Sequence, residues 1–146
     1  MSQHLETVRQ KLKGQVPLVQ HLGVDIVAYE PGRVVIEAPL EPNINTHGTA
    51  FGGSLYCIAT MCGWSLVHLT LMDAGYEPNV WVTKGEVVYH APVKGVIRAV
   101  VQATPQQCAE LVEQYAEKAR ARLSLEVAIH QDEQLALTLN ASFAAR

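Results

Sequence analysis

The residues best suited to chemistry in this chain lie together in Asn43-Ile44-Asn45-Thr46-His47-Gly48-Thr49-Ala50-Phe51-Gly52-Gly53-Ser54-Leu55. Gly48, Gly52 and Gly53 allow a ligand to approach the backbone closely. The segment runs into a long apolar stretch with helical spacing. A helix N-terminus presents unpaired N–H groups and the positive end of the helix dipole. Such a site can hold a phosphate, a carboxylate or a developing oxyanion. Asn45 adds a neutral donor and acceptor that can hold a water or a carbonyl. Packing also accounts for Gly52-Gly53, as a tight turn with close helix–sheet contact. The segment lacks GxxxxGK[ST], and its glycines are not spaced as GxGxxG in a βαβ unit, so it is not a nucleotide loop.

Other polar residues admit two readings each. His47 has the chemistry of a general base, and it also fits a solvent-facing loop. His90, in Tyr89-His90-Ala91-Pro92, is a contact for a bound ligand or a surface histidine. His68 falls on the apolar helix, where a satisfied core or interface role is the plainer reading. Lys84 and Glu86 sit among apolar residues on a strand, where they can pair across a seam or reach a pocket. Phe51, Tyr56, Trp64 and Trp81 can line an acyl or aryl site or simply pack. His4, His21 and His130 have no partner at metal-ligand spacing, so neither metal nor cofactor is expected.

These residues need elements to place them. Residues 1–13 predict an amphipathic helix ended by Gly14, followed by a connector over 17–22. Strands are expected over 23–30 and 33–40, turning at Pro31-Gly32. A loop spans 41–53. The central helix follows, with Leu55, Ile58, Ala59, Cys62, Leu66 and Leu69 on its inner stripe. Gly75 supplies its stop. A long strand covers 79–90, with a bulge expected at Gly85, and a further strand covers 96–104. Thr104, Pro105 and Gln107 read as a capping box opening a helix. Lys118, Arg120 and Arg122 fit the negative C-terminal end of that helix. Two alternating strands close the chain, with Leu123, Leu125, Val127 and Ile129, then Leu135, Leu137, Leu139, Ala141 and Phe143, facing in. The order of elements is α+β: an antiparallel sheet around one central helix, in a single domain over 1–146.

Composition narrows the function classes. The chain has 146 residues, 17% of them charged, and a net charge of −3. The low charge excludes disorder and points to surface covered by another copy of the chain. No run of basic residues suits a nucleic-acid backbone. Three cysteines, none in CxxC spacing, read as reduced thiols of a cytoplasmic protein. Ser54 to Met72 carries no charged residue and is long enough for a membrane span. Ser54, Thr60, Gly63, Ser65, His68 and Thr70 interrupt it, as in a helix buried inside a soluble fold.

The run Asn43–Leu55, the helix after it and the order of strands resemble the hot-dog-fold thioesterases. The resemblance is to a bacterial thioesterase-domain family found alone or joined to an acetyltransferase, with a signature near N-I-N-x-x-G-T-A-F-G-G-S-L. It covers the chain from about Pro17 onward. A broader resemblance is to the phenylacetate-type acyl-CoA thioesterases. Asn45 and Gly48 fall on the Asn and first Gly of that pattern, and Phe51-Gly52-Gly53 on its His-Gly-Gly. Thr60 stands where that pattern has a catalytic Asp.

The resemblance implies hydrolysis of an acyl-CoA or acyl-carrier-protein thioester at sites shared by a homodimer joined along the 79–90 strand, or by a tetramer of two such dimers. Asn45, Gly52 and Thr60 are the implied catalytic residues. Asn45 positions substrate or water, the Gly52 N–H polarises the carbonyl, and Thr60 of the neighbouring copy holds a water. His47, Phe51, Gly53, Thr83 and His90 are the implied substrate contacts. Thr60 cannot ionise as a carboxylate does, so a module that binds the acyl group without cleaving it is the other reading. Dehydration of a 3-hydroxyacyl thioester is disfavoured, because the loop and helix lack a His paired with Asp or Glu.

Overall fold

The computed structural model describes residues 2–146. Six antiparallel strands form one sheet in the order β1-β2-β4-β5-β6-β3. They are β1 (Asp25–Glu30), β2 (Arg33–Ala38), β3 (Val80–Tyr89), β4 (Ile97–Gln102), β5 (Ala121–Gln131) and β6 (Gln134–Ala145). Helix α3 (Gly52–Asp73) lies across the sheet, with α1 (Leu5–Gln15), α2 (Pro17–Leu22) and α4 (Pro105–Lys118) around it. The fold is the expected hot-dog arrangement.

α3 is apolar because the sheet wraps it. Ile58, Ala59, Cys62, Leu66, Val67 and Leu69 have no solvent exposure. They pack on inward side chains of the strands, including Ile36, Ala99, Val127, Leu139 and Phe143. Gly63 is required there, since a Cβ would come 2.5 Å from the Phe143 ring. The Cys62 thiol is pushed up to about 12 by burial and stays protonated. All three cysteines are free.

Several boundaries differ from the sequence expectation for identifiable reasons. Gly14 does not end α1, which runs to Gln15. The stop is at Val16, held extended because a residue before proline is driven out of the helical region. Pro17 then opens α2, and Gly23 closes it at φ 74°. The first strand therefore starts at Asp25. The bulge of β3 falls between Val82 and Lys84, at Thr83 and not at Gly85. Gly85 is a glycine because the Tyr56 hydroxyl of α3 packs onto its backbone. Leu135 is not inside but 37% exposed, where the β5–β6 pairing slips between Ile129 and His130. The capping box at Thr104 is present, with Gln107 N donating to Thr104 Oγ1 at 3.1 Å and Thr104 N to Gln107 Oε1 at 2.9 Å.

α1 docks on α3 through Val8 and Leu12 and through one buried polar contact. His68 stacks on Trp64 with ring centroids 4.6 Å apart. Trp64 Nε1 donates to the Val80 carbonyl at 2.7 Å. Lys11 Nζ lies 3.2 Å from His68 Nε2, and His68 Nδ1 is buried without a partner. Burial, reinforced by the Lys11 charge, pushes the imidazole down to about 4 from 6.5. A group with a depressed folded pKa contributes stability above its unfolded value, and that contribution is lost as pH falls. Unfolding in urea should therefore show stability declining from pH 6.5 toward 4. His68→Leu should remove that part of the decline; an unchanged profile would show that His68 does not cause it.

Candidate functional site

The loop ahead of α3 is a closed structure in its own right. Asn43 is buried, and its Nδ2 donates to the Leu22 and Pro39 carbonyls, both at 2.8 Å. Phe51 N donates back to the Asn43 carbonyl at 2.7 Å, and Asn45 N to the Thr49 carbonyl at 2.7 Å. Ile44 and Ala50 form a bridge, and Ala50 N donates to the Val93 carbonyl at 2.8 Å. Gly48 turns the tip at φ 80°.

Asn45 is the internal staple of this loop. Its Oδ1 accepts from His47 N at 2.8 Å and Thr49 N at 3.1 Å. Its Nδ2 donates to Thr49 Oγ1 at 2.8 Å and to the Ala50 carbonyl at 3.4 Å. Both polar atoms are thus engaged, and together they form an Asx-type turn.

The loop delivers Phe51 as the N-cap of α3, and Phe51 supplies no side-chain cap. Gly52 and Gly53 are not loop residues, as expected from the sequence, but the first turn of the helix. The helix ladder begins with Leu55 N donating to the Phe51 carbonyl. The N–H groups of Gly52, Gly53 and Ser54 precede that bond and are left for an external acceptor. Ser, Thr, Asp or Asn at the cap satisfies one such donor in most helices. An apolar cap on a long buried helix leaves the donors, and the positive dipole end, facing whatever binds there.

Close approach fixes the glycines. A Cβ at Gly52 would lie 3.3 Å from the Tyr89 ring, and one at Gly53 would lie 2.5 Å from the Phe51 ring. Tyr89 Oη donates to the Gly52 carbonyl at 2.8 Å. Burial raises the Tyr89 hydroxyl above its ordinary range, with Tyr56 and Cys57 adding to it. Tyr89 therefore stays protonated and remains a donor.

The other expected residues fall apart from this point. Thr60 is eight residues into α3 from Gly52, a rise of about 12 Å. Its hydroxyl donates to the Tyr56 carbonyl at 2.8 Å, leaving only lone pairs free. His47 is exposed at the loop tip. His90 lies on the sheet face away from α3, 3.1 Å from Thr138 Oγ1. Thr83 sits at the β3 bulge and donates to the Ser142 carbonyl at 3.2 Å. Lys84 and Glu86 lie 4.0 Å apart and exposed on the same outer face. Among the described residues no group of His, Cys, Asp and Glu could hold a metal ion.

Tyr89 is the residue that sequence reasoning missed; it stands beside Tyr56, which the sequence already offered as a pocket aromatic. The bulge at Thr83 resets the alternation of β3. Gly85, Val87 and Tyr89 then share the face of Ala141, Leu139 and Leu137 that looks toward α3. The strand's apolar pattern alone carried no sign of that reset.

Comparison with known proteins identifies the family and the fold. Residues 5–146 match the family described as "Putative thioesterase (yiiD_Cterm)". A crystal structure of a protein of unknown function from Chlorobaculum tepidum TLS is 35% identical, with TM-score 0.91 over 96% of this chain and 92% of that one. A "putative thioesterase" from Shewanella oneidensis is 26% identical, with TM-score 0.85 over 99% of this chain and 98% of that one. A probable thioesterase from Pseudomonas aeruginosa shares the fold at 23% identity, with TM-score 0.81 over 97% and 94% of the two chains.

If Asn45 is the staple of the loop, Asn45→Ala should lower stability by about 0.5–1.5 kcal/mol, the net worth of a hydrogen bond whose freed partners can turn to water, read as a lower urea midpoint. An unchanged midpoint would mean that the loop holds its shape without it.

Proposed function

The chain belongs to the thioesterase family described as yiiD_Cterm, and from that membership we propose that it hydrolyses an acyl thioester carried by coenzyme A or by an acyl-carrier protein. The observation that carries this reading is the uncapped first turn of α3, with glycine N–H groups offered beside Tyr89. A thioester carbonyl seated there gains negative charge as water attacks. Preorganised N–H donors stabilise that charge without reorganising. The Gly52 N–H is the central donor, Gly53 adds to it, and the hydrogen bond from Tyr89 fixes the plane of the Gly52–Gly53 peptide. Asn45 acts by holding the loop that delivers this turn.

The water needs a second group, and a rise of about 12 Å along α3 puts Thr60 of the same chain out of reach. Thr60 of a second copy serves instead. With its own proton committed to the Tyr56 carbonyl, its oxygen accepts a hydrogen bond from the water and orients it. β3 supports such a pairing. It ends the sheet order, so its outer edge has no neighbouring strand, and Val82 and Val88 are 41% and 52% exposed. Phe51, at the start of α3, is 57% exposed as well. Antiparallel pairing of two β3 edges covers this surface and completes each site with the other's helix.

Thr60 orients but does not take up a proton, and general-base help is worth about 10²–10⁴-fold. Turnover should accordingly be slow. The same neutrality supports a second reading, in which the site binds the acyl thioester without cleaving it.

Thiol release from short, long and aryl acyl-CoA esters, and from an acyl-carrier protein, separates the two. Hydrolysis of one class is expected. Gly52→Pro deletes one N–H at a helix position that tolerates proline and should slow that hydrolysis about 100- to 1000-fold. Gly52→Ala keeps the N–H and serves as the steric control. Calorimetric binding with no thiol released from any ester would leave the binding module as the function. A single-chain mass by light scattering at micromolar concentration would defeat the shared site.

A further inference from the structure

Four cations surround an open recess of about 450 Å³ at the start of β3. They are Lys118, Arg120, Arg122 and Arg146, with Trp81 as the aromatic wall and no acidic residue in the lining. The end of α4 accounts for Lys118 and the adjoining Arg120 only. The helix stops there, and Ala119 caps it in the left-handed region at φ 53°. Arg120 lies beyond the helix, Arg122 is on β5, and Arg146 follows β6. A helix dipole acts near its last turn, which still covers Arg120 next to the Ala119 cap, but the helix-end reading does not extend to Arg122, which is on β5.

Like charges gathered without partners oppose one another, and none of these four forms an ion pair with a described carboxylate. The chain is net negative at −3, so the cluster also runs against the overall charge. The recess is held in shape from several sides. Arg122 N donates to Gln114 Oε1 at 2.7 Å, and the Arg146 guanidinium stands 5.8 Å from the Trp81 ring centre.

We propose that this recess binds the phosphorylated adenosine end of a coenzyme A thioester. The proposal rests on the thioester reading above and deepens it, favouring the coenzyme over a carrier protein. Arginines grip phosphate through paired N–H groups, and an indole offers a face to a flat base. The recess volume lies within the usual range for small-ligand sites.

Its position fits the shared site. Trp81 and Tyr89 stand at opposite ends of β3, about 26 Å apart by strand rise. Antiparallel pairing of two β3 strands over their full length places one copy's Trp81 end beside the other's Tyr89 end. Trp81, Ala144 and Arg122 stand in register on the sheet face away from α3, so the thioester arm of a nucleotide held there passes round the strand ends to reach the α3 N-terminus of the other copy.

The test is titration calorimetry of the full chain with adenosine 3′,5′-bisphosphate, inorganic phosphate and pantetheine. The bisphosphate should bind and quench Trp81 fluorescence. Arg120→Ala and Arg122→Ala should each weaken it by about tenfold or more, the scale of a lost charged hydrogen bond. Trp81→Leu should weaken it with the cations intact, which guards against any misfolding of the arginine variants. No binding of the bisphosphate, equal binding by all variants, or equally tight binding of free phosphate alone would overturn the proposal. So would an acyl-carrier protein bound at these arginines and not displaced by the bisphosphate. Hydrolysis of acyl-pantetheine without bisphosphate binding would sink this site and leave the thioesterase reading standing. Bisphosphate binding without hydrolysis of any ester would do the reverse.

Discussion

Between Gly52 and Met72, α3 carries no charged side chain, and the sheet removes most of its lateral surface from water. Burying an unpaired polar group costs roughly 1–3 kcal/mol or more, so each polar residue on this helix must be answered locally. Thr60, Ser65 and Thr70 do so by donating to the carbonyls of Tyr56, Met61 and Leu66, one turn back. This is the back-bonding open to a hydroxyl in a helix. His68 is answered only in part: it stays neutral, stacked on Trp64 with Nε2 beside Lys11, and its Nδ1 is left without a partner. A helix neutralised along its sides keeps its unspent polarity at its ends. The N-terminal end is the one left without a side-chain cap, and its free donors are the basis of the proposed site.

The loop exists to hold that end open. An ordinary cap would spend its side chain on the first-turn donors. Here the two asparagines spend theirs elsewhere: Asn43 anchors the loop to the α2 and β2 ends, and Asn45 closes the tip on itself. The donors of Gly52 to Ser54 are therefore free because the loop is self-sufficient. Tyr89 joins this unit to β3 through the Gly52 carbonyl, so strand and helix register at one peptide.

Periodicity made the frame legible in the sequence. The inner stripe of α3, the alternating faces of β5 and β6 and the capping box at Thr104 all follow from spacing that repeats every turn or every second residue. What escaped was whatever breaks a period. The bulge at Thr83 turned Tyr89 toward the helix and His90 away from it. Val16 stopped α1 where Gly14 did not, because the following proline acts on its neighbour's backbone. The glycine pair read as loop was already helix. In each instance the residue was visible, but its role depended on a contact from elsewhere in the chain.

A neutral Thr60 also follows from the burial of α3. A carboxylate at that position, 8% exposed on an apolar helix, would carry a desolvation penalty unless charged partners answered it. Its own helix offers none: Tyr56, Cys57, Gly63 and Trp64 are the residues one turn away. The proposed site therefore rests on backbone geometry and not on a buried charge. Charge is placed instead at the far end of β3, in the open recess around Trp81, where water still solvates the arginines and little desolvation opposes them. Under the proposed function, binding energy gained by a ligand there can be spent on holding the reacting carbonyl against the glycine donors, in a proposed site that has no base.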